Sequence, residues 1–536
     1  MPVVQHYYPS GFIPFVQALP AQYFVVLGLF TSLLVVSNWT TIGRTLRKFW
    51  LRRQGYFQDN EGRAIPELKG ETRFCRFSHG YELSLQGAKT AERRPYMIWN
   101  GTRPEVVLTQ AEHVREFYSK RSQEHFKPEN ASMGHYFGRV MGVCAGAQNG
   151  AVWKNIRKVF DPYFSYKSAQ GFSEIYAAEF KKWMDELSAG RESDFVADAT
   201  TICTVLPFKL IALACYGPAL TDKIFADLFA LNSVHERVLL TTWFGSKERS
   251  GLYNALPTAS KKDMDTFEAD WKKFNLFMMR ESEEKQLPCP IREMYKDVLA
   301  GTITEANWLQ TIDEILFTNL DVTSAILAFL LINLGINQPV QSELRSEMAQ
   351  SLATPMAAEG IDSSPIEEYI RKTDTLLEYT CLESGRLCPA VWFTLPEYVG
   401  ADLDIGGYRI KSGTCCIIDW ARLNTESPLW NPDNSKRAAA GEPEVNGQMF
   451  WPQRFKAMSP TTYRWSMLRF GLGGRQCIGK NFASRIMKQF LVEVLTRYRV
   501  ELDGERPLKS WGTINVELRD DRFTVMPKQN VRFVKI

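Results

Sequence analysis

The 536-residue sequence predicts a mainly α-helical protein with small β-sheets and an apolar helix at its N-terminus. Three observations support this prediction. Between about residues 150 and 390, apolar side chains recur mostly at helical spacing. Alternating runs at 409–418 and 522–536, together with the apolar run at 104–109, are typical of strands. Residues 1–43 contain no Asp, Glu, Lys or Arg, which is typical of a membrane segment.

Residues 21–43 form the predicted transmembrane anchor. Their apolar run has about the ~20 residues that a spanning helix requires. No basic residue precedes the run, whereas five follow it closely: Arg44, Arg47, Lys48, Arg52 and Arg53. The positive-inside rule therefore places residues 1–20 in the lumen and the rest of the chain in the cytosol. We expect a single-pass anchor in the endoplasmic reticulum membrane, because a cleaved signal peptide carries its positive charge ahead of the apolar run.

Residues 44–60 are predicted to be a basic linker that leads into the first strands. Beyond residue 150, breaks divide the helical pattern at Gly217, within 246–257, at 288–290 and at 338–339. The long apolar stretch 309–334 is predicted to be one helix.

Composition excludes several classes of function. The net charge of +4 is too small and too dispersed to favour nucleic-acid binding. The ten cysteines are scattered without a Cys-x-x-Cys pair, so we expect free thiols in a reducing compartment. None of the six histidines is spaced for a zinc or di-iron site.

Residues 470–479, which read Phe-Gly-Leu-Gly-Gly-Arg-Gln-Cys-Ile-Gly, carry the strongest chemical signal. Gly471 and Gly473 allow the backbone conformations and close approach that a loop against a flat ligand needs. Cys477 follows them and precedes an apolar run of helical period. A thiolate held in such a loop is a ligand for haem iron.

The remaining fixed positions of this loop suit the same role. Phe470 can shield the sulfur from water, and Arg475 offers a planar fork for a haem propionate. Gly479 would let the following helix begin against the porphyrin face. The structural alternative is a glycine-rich turn with a buried cysteine. It would require the Phe, Gly, Arg and Cys positions of this loop to coincide with a haem-binding pattern by chance.

This loop resembles the haem-thiolate loop of the cytochrome P-450 superfamily, whose pattern is Phe-Gly-x-Gly-x-Arg-x-Cys-x-Gly. The resemblance extends over about residues 60–536 and is greatest for membrane-anchored fungal members of secondary metabolism. It implies one large, mainly helical haem-thiolate monooxygenase domain at 61–536. It also implies haem b as the cofactor and Cys477 as the axial ligand of its iron.

Two further motifs match this family. Glu383 and Arg386 lie three residues apart on a predicted helix, and Arg454 follows in a segment similar to the family's Pro-x-Arg-Phe. The resemblance implies a structural triad of these three residues that fixes the haem loop. Trp153 and Arg157 match the family's Trp-x-x-x-Arg, and side chains at i and i+4 share a helix face. They are therefore expected to contact the propionates.

The predicted oxygen-binding helix departs from the family pattern. The family reads Ala/Gly-Gly-x-Asp/Glu-Thr-Thr, whereas residues 318–323 read Thr-Asn-Leu-Asp-Val-Thr. The acid is present as Asp321, but Val322 replaces the threonine that helps deliver protons, and Asn319 replaces glycine. Thr318 lies one turn before Val322 on the same stripe, while Thr323 is rotated by about 100°. Either Thr318, with Asn319 and Asp321, provides the hydrogen bonding, or the substrate or water supplies the proton path.

Segments that contact substrate in the family are rich in aromatic and apolar side chains here. They are 125–148, 239–246, the region of Thr318, 390–394 and 511–515. The resemblance therefore implies an apolar or aromatic small-molecule substrate, and an alkaloid or diketopiperazine is the specific hypothesis. Without the resemblance the same side chains are ordinary core residues.

The resemblance implies a monooxygenase that receives electrons from NADPH–cytochrome P-450 reductase and hydroxylates, desaturates or couples its substrate. A rival enzyme class is a haem-thiolate isomerase or phenol-coupling enzyme that lacks the usual proton relay, as Val322 would allow. Isomerases often carry an insertion in the haem loop, and none lies between Phe470 and Cys477. The non-enzymatic alternative is a membrane haem electron carrier or sensor, but no residue is indicated as a second axial ligand.

Overall fold

The computed structural model describes residues 38–69, 79–119, 125–191, 193–245, 247, 250–353, 364–441, 444–504, 517–519 and 524–536. The predicted lumenal segment 1–20, residues 21–37 of the predicted anchor and the predicted contact turn 511–515 lie outside these described residues. Most described residues are helical, with small sheets, as the sequence predicts.

In chain order the α-helices are α1 (Trp39–Arg53), α2 (Gly80–Ala91), α3 (Ala111–Ser119), α4 (His135–Met141), α5 (Gly150–Phe160), α6 (Tyr166–Gly171), α7 (Ser173–Ser188), α8 (Ala199–Ile202), α9 (Val205–Tyr216), α10 (Asp222–Phe244), α11 (Gly251–Asn254), α12 (Ala259–Glu284), α13 (Pro290–Leu299), α14 (Glu305–Ile336), α15 (Gln338–Ala353), α16 (Pro365–Arg371), α17 (Leu376–Leu387), α18 (Trp420–Glu426), α19 (Asn434–Ala439), α20 (Pro460–Tyr463) and α21 (Lys480–Leu495). Short 3₁₀ turns include Pro452–Ala457 and Gly473–Arg475.

The strands are β1 (Tyr96–Asn100), β2 (Arg103–Leu108), β3 (Asp194–Asp198), β4 (Glu397–Tyr398), β5 (Leu403–Ile405), β6 (Tyr408–Ile410), β7 (Cys415–Ile418), β8 (Tyr498–Leu502), β9 (Glu517–Leu518), β10 (Pro527–Lys528) and β11 (Asn530–Lys535). One sheet has the order β1-β2-β7-β4, with β2 and β7 parallel. A second sheet has the order β3-β11-β8 and is antiparallel. Two hairpin-sized sheets pair β5 with β6 and β10 with β9.

Helix α14 is the central helix of the fold, and most of its residues are buried. It begins with a capping box, in which Thr304 Oγ1 accepts the Asn307 N–H and Asn307 Oδ1 accepts the Thr304 N–H. Its run of Leu, Ile, Ala and Phe is apolar on all sides, as expected for a helix enclosed by others. It packs against α9, β8 and α17, so it crosses the middle of the main core.

The predicted strand run 409–418 forms two strands in different sheets rather than one. Residues 411–414 turn the chain between β6 and β7, and Gly413 adopts a φ of +77° there. This conformation is open to glycine but strained for other residues. The alternation of apolar residues therefore continues through the turn. Gly413 was the one residue in the run that indicated a turn there.

The predicted basic linker is helical up to Arg53 and continues mostly as turns to residue 60. Helix α1 begins at Trp39, inside the predicted anchor, and continues to Arg53. Lys48 Nζ lies 2.8 Å from Glu67 Oε2. Apolar side chains are exposed along α1, with Leu46 64% and Phe49 65% accessible.

Two described helical segments, Ala199–Ala219 and Glu305–Ile336, have the length and composition of membrane spans. Both are mostly buried inside the protein, as the core helices of a soluble domain also are. They are therefore weak evidence for membrane insertion.

Candidate active site

The loop before α21 holds Cys477 in a tight turn. The Cys477 N–H donates to the Phe470 carbonyl over 2.8 Å, which closes the loop on itself. Gly471 and Gly473 have φ values of +77° and +66°, so these two positions use conformations that side chains with a Cβ rarely adopt. The sulfur is therefore presented by a backbone that the glycines make possible.

Cys477 is exposed, whereas the other cysteines that the structure describes are buried. The residue keeps accessible surface, yet enough protein surrounds it for burial to raise the pKa of its thiol. The Gly479 N–H opposes this shift by hydrogen bonding towards the sulfur, and a Cβ at position 479 would lie 3.9 Å from Sγ. Coordination to a metal would deprotonate this thiol.

Two arginines join helix α5 and the cysteine loop. One donates from α5 to the loop, and the other donates from the loop to the residues just before α5. Arg157 on α5 donates from Nη1 to the Gln476 carbonyl over 2.9 Å. Arg475 in the loop donates to the Gln148 carbonyl and to Asn149 Oδ1, both over 2.7 Å. Together these bonds fix α5 beside the residue that precedes the cysteine.

Trp153 belongs to the same group of side chains. The Arg475 guanidinium lies over the Trp153 ring, 4.7 Å from its centroid, and burial lowers the pKa of Arg475. The structure thus brings together Trp153, Arg157, Arg475 and Cys477, all of which were predicted from the sequence as site residues. Asn149, which precedes α5 and orients Arg475, was not predicted.

The three residues of the expected triad are in contact and buried. Arg386 donates to Glu383 through Nε over 2.8 Å and through Nη2 over 2.9 Å. Arg454 donates from Nε to Glu383 Oε1 over 2.9 Å. Burial lowers the pKa of Arg454. Both guanidinium groups also donate to backbone carbonyls of the segment 446–449, so the triad attaches α17 to that loop.

The residues of α14 that were considered for proton delivery have different surroundings. Thr318 lines a cavity together with Asp321 and Val322, and its hydroxyl donates to the Glu314 carbonyl one turn earlier. Thr323 is buried and donates to Asn319 Oδ1. The roles assigned to these residues remain predictions.

The cavity beside α14 has a volume of about 670 Å³. Its walls come from α8 to α10, α14 and the C-terminal region, so it lies between the central helix and the helices that cover it. Aromatic and aliphatic side chains line it together with hydroxyl groups, one histidine and the charged residues Glu236, Asp321 and Arg519. They include Phe229, Leu239, Trp243, Phe317, Thr204 and His235. This volume is in the range of pockets for small organic ligands.

Two acids on α14 were not predicted from the sequence. Asp313 lies 2.9 Å from His235 Nε2, both side chains are almost fully buried, and burial raises the pKa of Asp313. Glu314 Oε2 accepts the Gly146 N–H over 3.1 Å. The signal for Glu314 was its position, four residues before Thr318 and eight before Val322 on one stripe.

The donor set fits haem rather than a free metal ion. Among the described residues there is no group of three or more His, Cys, Asp or Glu side chains that could hold an ion. Cys477 instead offers one soft ligand from a glycine loop, and two guanidinium groups on adjoining elements offer partners for propionates. The fold and this site together define a haem-thiolate protein.

Comparison with known proteins identifies the family. The sequence model of the cytochrome P-450 family matches residues 91–521. The cytochrome P-450 monooxygenase lepD of Aspergillus flavus is 35% identical over 457 residues, which cover 84% of this chain and 86% of that protein. The monooxygenase apdB of Emericella nidulans is 31% identical over 474 residues, which cover 86% of this chain and 89% of that protein. The monooxygenase PUL2 of Kluyveromyces lactis is 29% identical over 515 residues, which cover 96% of this chain and 95% of that protein.

The chain belongs to the cytochrome P-450 family. It is a haem-dependent oxidoreductase, and haem b is its cofactor. The three relatives are fungal monooxygenases of this family.

Proposed function

We propose that this protein is a membrane-anchored monooxygenase of fungal secondary metabolism that oxidises an apolar or aromatic small molecule. The observation that carries the proposal is the Cys477 loop, fixed to α5 by Arg157 and Arg475. The relatives support it because they are named cytochrome P-450 monooxygenases. Haem bound at Cys477 supplies oxygen activation and the cleavage of the O–O bond.

The protein contributes position and exclusion of water. Cys477 would hold the iron, Arg157 and Arg475 would hold the propionates, and Trp153 would pack beside them. The triad of Glu383, Arg386 and Arg454 would keep the loop geometry constant. These groups do no chemistry on the substrate, but they set where the cofactor lies against α14.

The cavity beside α14 supports a substrate of modest size with apolar or aromatic surface. Trp243 and Phe317 offer flat apolar contacts, while Asp321 and Thr318 offer polar ones at one side. An alkaloid or a diketopiperazine would suit this mixture of surfaces, and the specific compound class is part of the proposal.

Proton delivery is assigned to Thr318 with Asn319 and Asp321, because Val322 has no hydroxyl. Thr318 and Val322 both border the cavity, whereas Thr323 is buried beside Asn319. The Thr318 hydroxyl oxygen can accept a hydrogen bond from water even while its proton is donated to the Glu314 carbonyl. Ordered water between Thr318 and Asp321 would complete the path.

Residues 21–43 are proposed to anchor the protein in the endoplasmic reticulum membrane, with the lumenal segment 1–20 on one side and domain 61–536 in the cytosol. The exposed apolar side chains of α1 support this arrangement, because they would otherwise be in contact with water.

NADPH–cytochrome P-450 reductase is the proposed electron donor. Basic side chains lie on α5 and beside Cys477 in its loop. Lys154 and Lys158 are exposed on α5, and Arg475 and Lys480 flank the cysteine. An acidic partner surface would be attracted there, with an association rate that falls as salt increases.

The rival functions differ from a monooxygenase in their use of NADPH-derived electrons or in the ligation of the haem. A haem-thiolate isomerase or phenol-coupling enzyme without the relay would turn over a peroxide or use no NADPH-derived electrons for oxygen insertion. An electron carrier or sensor would usually fill both axial positions.

The test is turnover in microsomes that contain the full-length protein with or without the reductase. Fungal extracts are supplied with NADPH, and mass spectrometry records which compound is consumed. We expect consumption that needs both NADPH and reductase and a product whose mass reflects oxygen insertion, desaturation or coupling. Consumption that is independent of NADPH and reductase would favour the isomerase, and a stable six-coordinate haem without any turnover would favour the carrier.

A further inference from the structure

A cavity of about 570 Å³ lies between α1 and the sheet β1-β2-β7-β4. Arg47, Trp50 and Leu51 of α1 form one wall. The opposite wall consists of the first residues of β2, Tyr398 of β4 and the turn 411–414 that precedes β7. This cavity is separate from the one beside α14, because the two share no lining residue.

Three cationic side chains border this cavity, namely those of Arg47, Arg103 and Lys411. Among the described residues that line it there is no Asp or Glu, and none of the three cations forms an ion pair with a described carboxylate. Lys48, which is also on α1, differs from them because its Nζ lies 2.8 Å from Glu67 Oε2. The cavity therefore has an excess of positive charge at its walls.

Two of these cations are held at the cavity by neutral partners. Arg103 donates from Nη1 to the Tyr398 hydroxyl over 3.1 Å. Lys411 Nζ lies over the Trp50 ring, 4.5 Å from its centroid, and donates to Gln54 Oε1 over 3.3 Å. These partners orient the cations without cancelling their charge.

Asp402 is close enough to Lys411 to interact with it electrostatically, but its carboxylate has other partners. It accepts the Tyr56 hydroxyl over 2.6 Å and the Ser412 N–H over 2.8 Å. Arg409 lies 3.8 Å from the same carboxylate and balances its charge. The three cations of the cavity consequently stay available to an anionic ligand.

The position of the cavity beside the proposed anchor indicates a membrane lipid as the source of this anion. Arg47 follows the end of the anchor at residue 43 by four residues, which is about 6 Å along a helix axis. The headgroup layer on each side of a bilayer is itself about 5–8 Å thick. Leu46, Phe49 and Trp50, which are exposed on α1 next to Arg47, suit the boundary between headgroups and acyl chains. The cavity therefore lies at the level of the lipid phosphates.

We propose that this cavity binds the phosphate monoester headgroup of an anionic membrane lipid through Arg47, Arg103 and Lys411. A phosphate monoester carries a charge of about −1.5 to −2 at neutral pH and offers three acceptor oxygens. The phosphodiester of a lipid such as phosphatidylserine carries a single negative charge, so it matches three cations less well. The proposal rests on the membrane anchoring in the proposed function and adds a specific lipid partner to it.

The test is native mass spectrometry of the purified full-length holoenzyme in a neutral detergent. Three lipids with identical acyl chains are added: phosphatidic acid, which has a phosphate monoester, and phosphatidylserine and phosphatidylcholine, which do not. The masses resolve protein with and without one bound lipid, so each lipid gives a dissociation constant. We expect phosphatidic acid to bind about 10-fold more tightly than phosphatidylserine. Equal dissociation constants for these two lipids would overturn the proposal.

Single substitutions test whether the preference belongs to this cavity. Arg47→Gln, Arg103→Gln and Lys411→Gln are each expected to weaken the binding of phosphatidic acid about 10-fold, because each removes a charged donor. Arg53→Gln is the matched control, since it removes one exposed cation of α1 that does not line the cavity. We expect the control to change the dissociation constant less than about 2-fold. Equal effects of all four substitutions would show non-specific attraction and overturn the proposal.

Glycerol 3-phosphate, which has the same phosphate monoester without acyl chains, distinguishes a membrane lipid from a soluble ligand. We expect it to displace phosphatidic acid only in large excess, because it lacks the chains that the bilayer and the apolar side chains of α1 hold. Displacement at equal concentration would identify a soluble phosphate ester as the ligand and overturn the assignment to a lipid.

The proposed function is checked first on the native protein and on every variant. The protein is recovered from the membrane fraction, and the spectrum of its reduced carbon monoxide complex is recorded. Recovery of the native protein in the soluble fraction, or the absence of the red-shifted band, would refute the proposed function. A normal spectrum of membrane-bound protein without a preference for phosphatidic acid would refute only the lipid site.

Discussion

Arg454 donates from Nε to Glu383 Oε1 over 2.9 Å, although 71 residues separate the two in the chain. Both side chains are buried, and Arg386 holds the same carboxylate from one turn further along α17. The bond therefore connects α17 to the segment that precedes the cysteine loop. Loss of this bond would leave the buried Glu383 carboxylate paired with Arg386 but no longer with Arg454.

Arg454→Ala is expected to destabilise the protein by about 3–5 kcal/mol, because it leaves a buried charge incompletely paired. The measurement is urea unfolding of the haem-loaded protein, with haem absorbance followed in parallel. Arg499→Ala is the matched control, since Arg499 pairs with Glu501 at 2.7 Å on an exposed surface. That control should change the free energy of unfolding by less than about 0.5 kcal/mol. Equal effects of the two substitutions would contradict the structural role of the triad.

Thr318→Val is expected to lower the fraction of consumed electrons that appear in product. The reason is that Thr318 borders the cavity at the position one turn from Val322. Thr323→Val should leave this fraction unchanged and reduce stability by about 1 kcal/mol, because its hydroxyl is buried and bonded to Asn319. NADPH consumption, hydrogen peroxide and product are measured together. Unchanged coupling in Thr318→Val would show that substrate or water supplies the proton path.

Removal of residues 1–43 is expected to leave a protein that binds anionic lipid vesicles at low salt and is released at high salt. The truncated chain keeps three exposed apolar residues of α1, Leu46, Phe49 and Trp50, next to basic ones. Adding Leu46→Ser, Phe49→Ser and Trp50→Ser should release it at low salt as well. Co-sedimentation with vesicles measures the binding of both truncated proteins.

Leu299→Ser, at a side chain that is 77% exposed on α13, is the control and should have no effect. Vesicle binding by the truncated protein that is insensitive to both salt and these substitutions would contradict the role of α1.

The short motifs predicted the local parts of the site, because each motif encodes its own geometry. The glycines around Cys477 and the spacing of Glu383 and Arg386 needed no knowledge of distant segments. The alternation at 409–418 could not reveal the turn at Gly413, since the apolar pattern continues through it. The basic residues after residue 43 likewise did not reveal that α1 is helical.

Contacts between distant segments could not be predicted from the sequence where no motif marks them. Glu314 meets Gly146 across 168 residues, and His235 meets Asp313 through the packing of α10 on α14. Single acids in an apolar helix give no indication of which partner the fold supplies. Helical spacing from Thr318, whose role stays a prediction, was the available signal for position 314.

The most direct test of the account is the absorption spectrum of the purified, reduced protein under carbon monoxide. Coordination of the haem by the Cys477 thiolate predicts the strongly red-shifted band that is peculiar to this ligation, and Cys477→Ser should abolish that band. A spectrum typical of histidine-ligated haem, or the absence of bound haem in the native protein, would contradict the account.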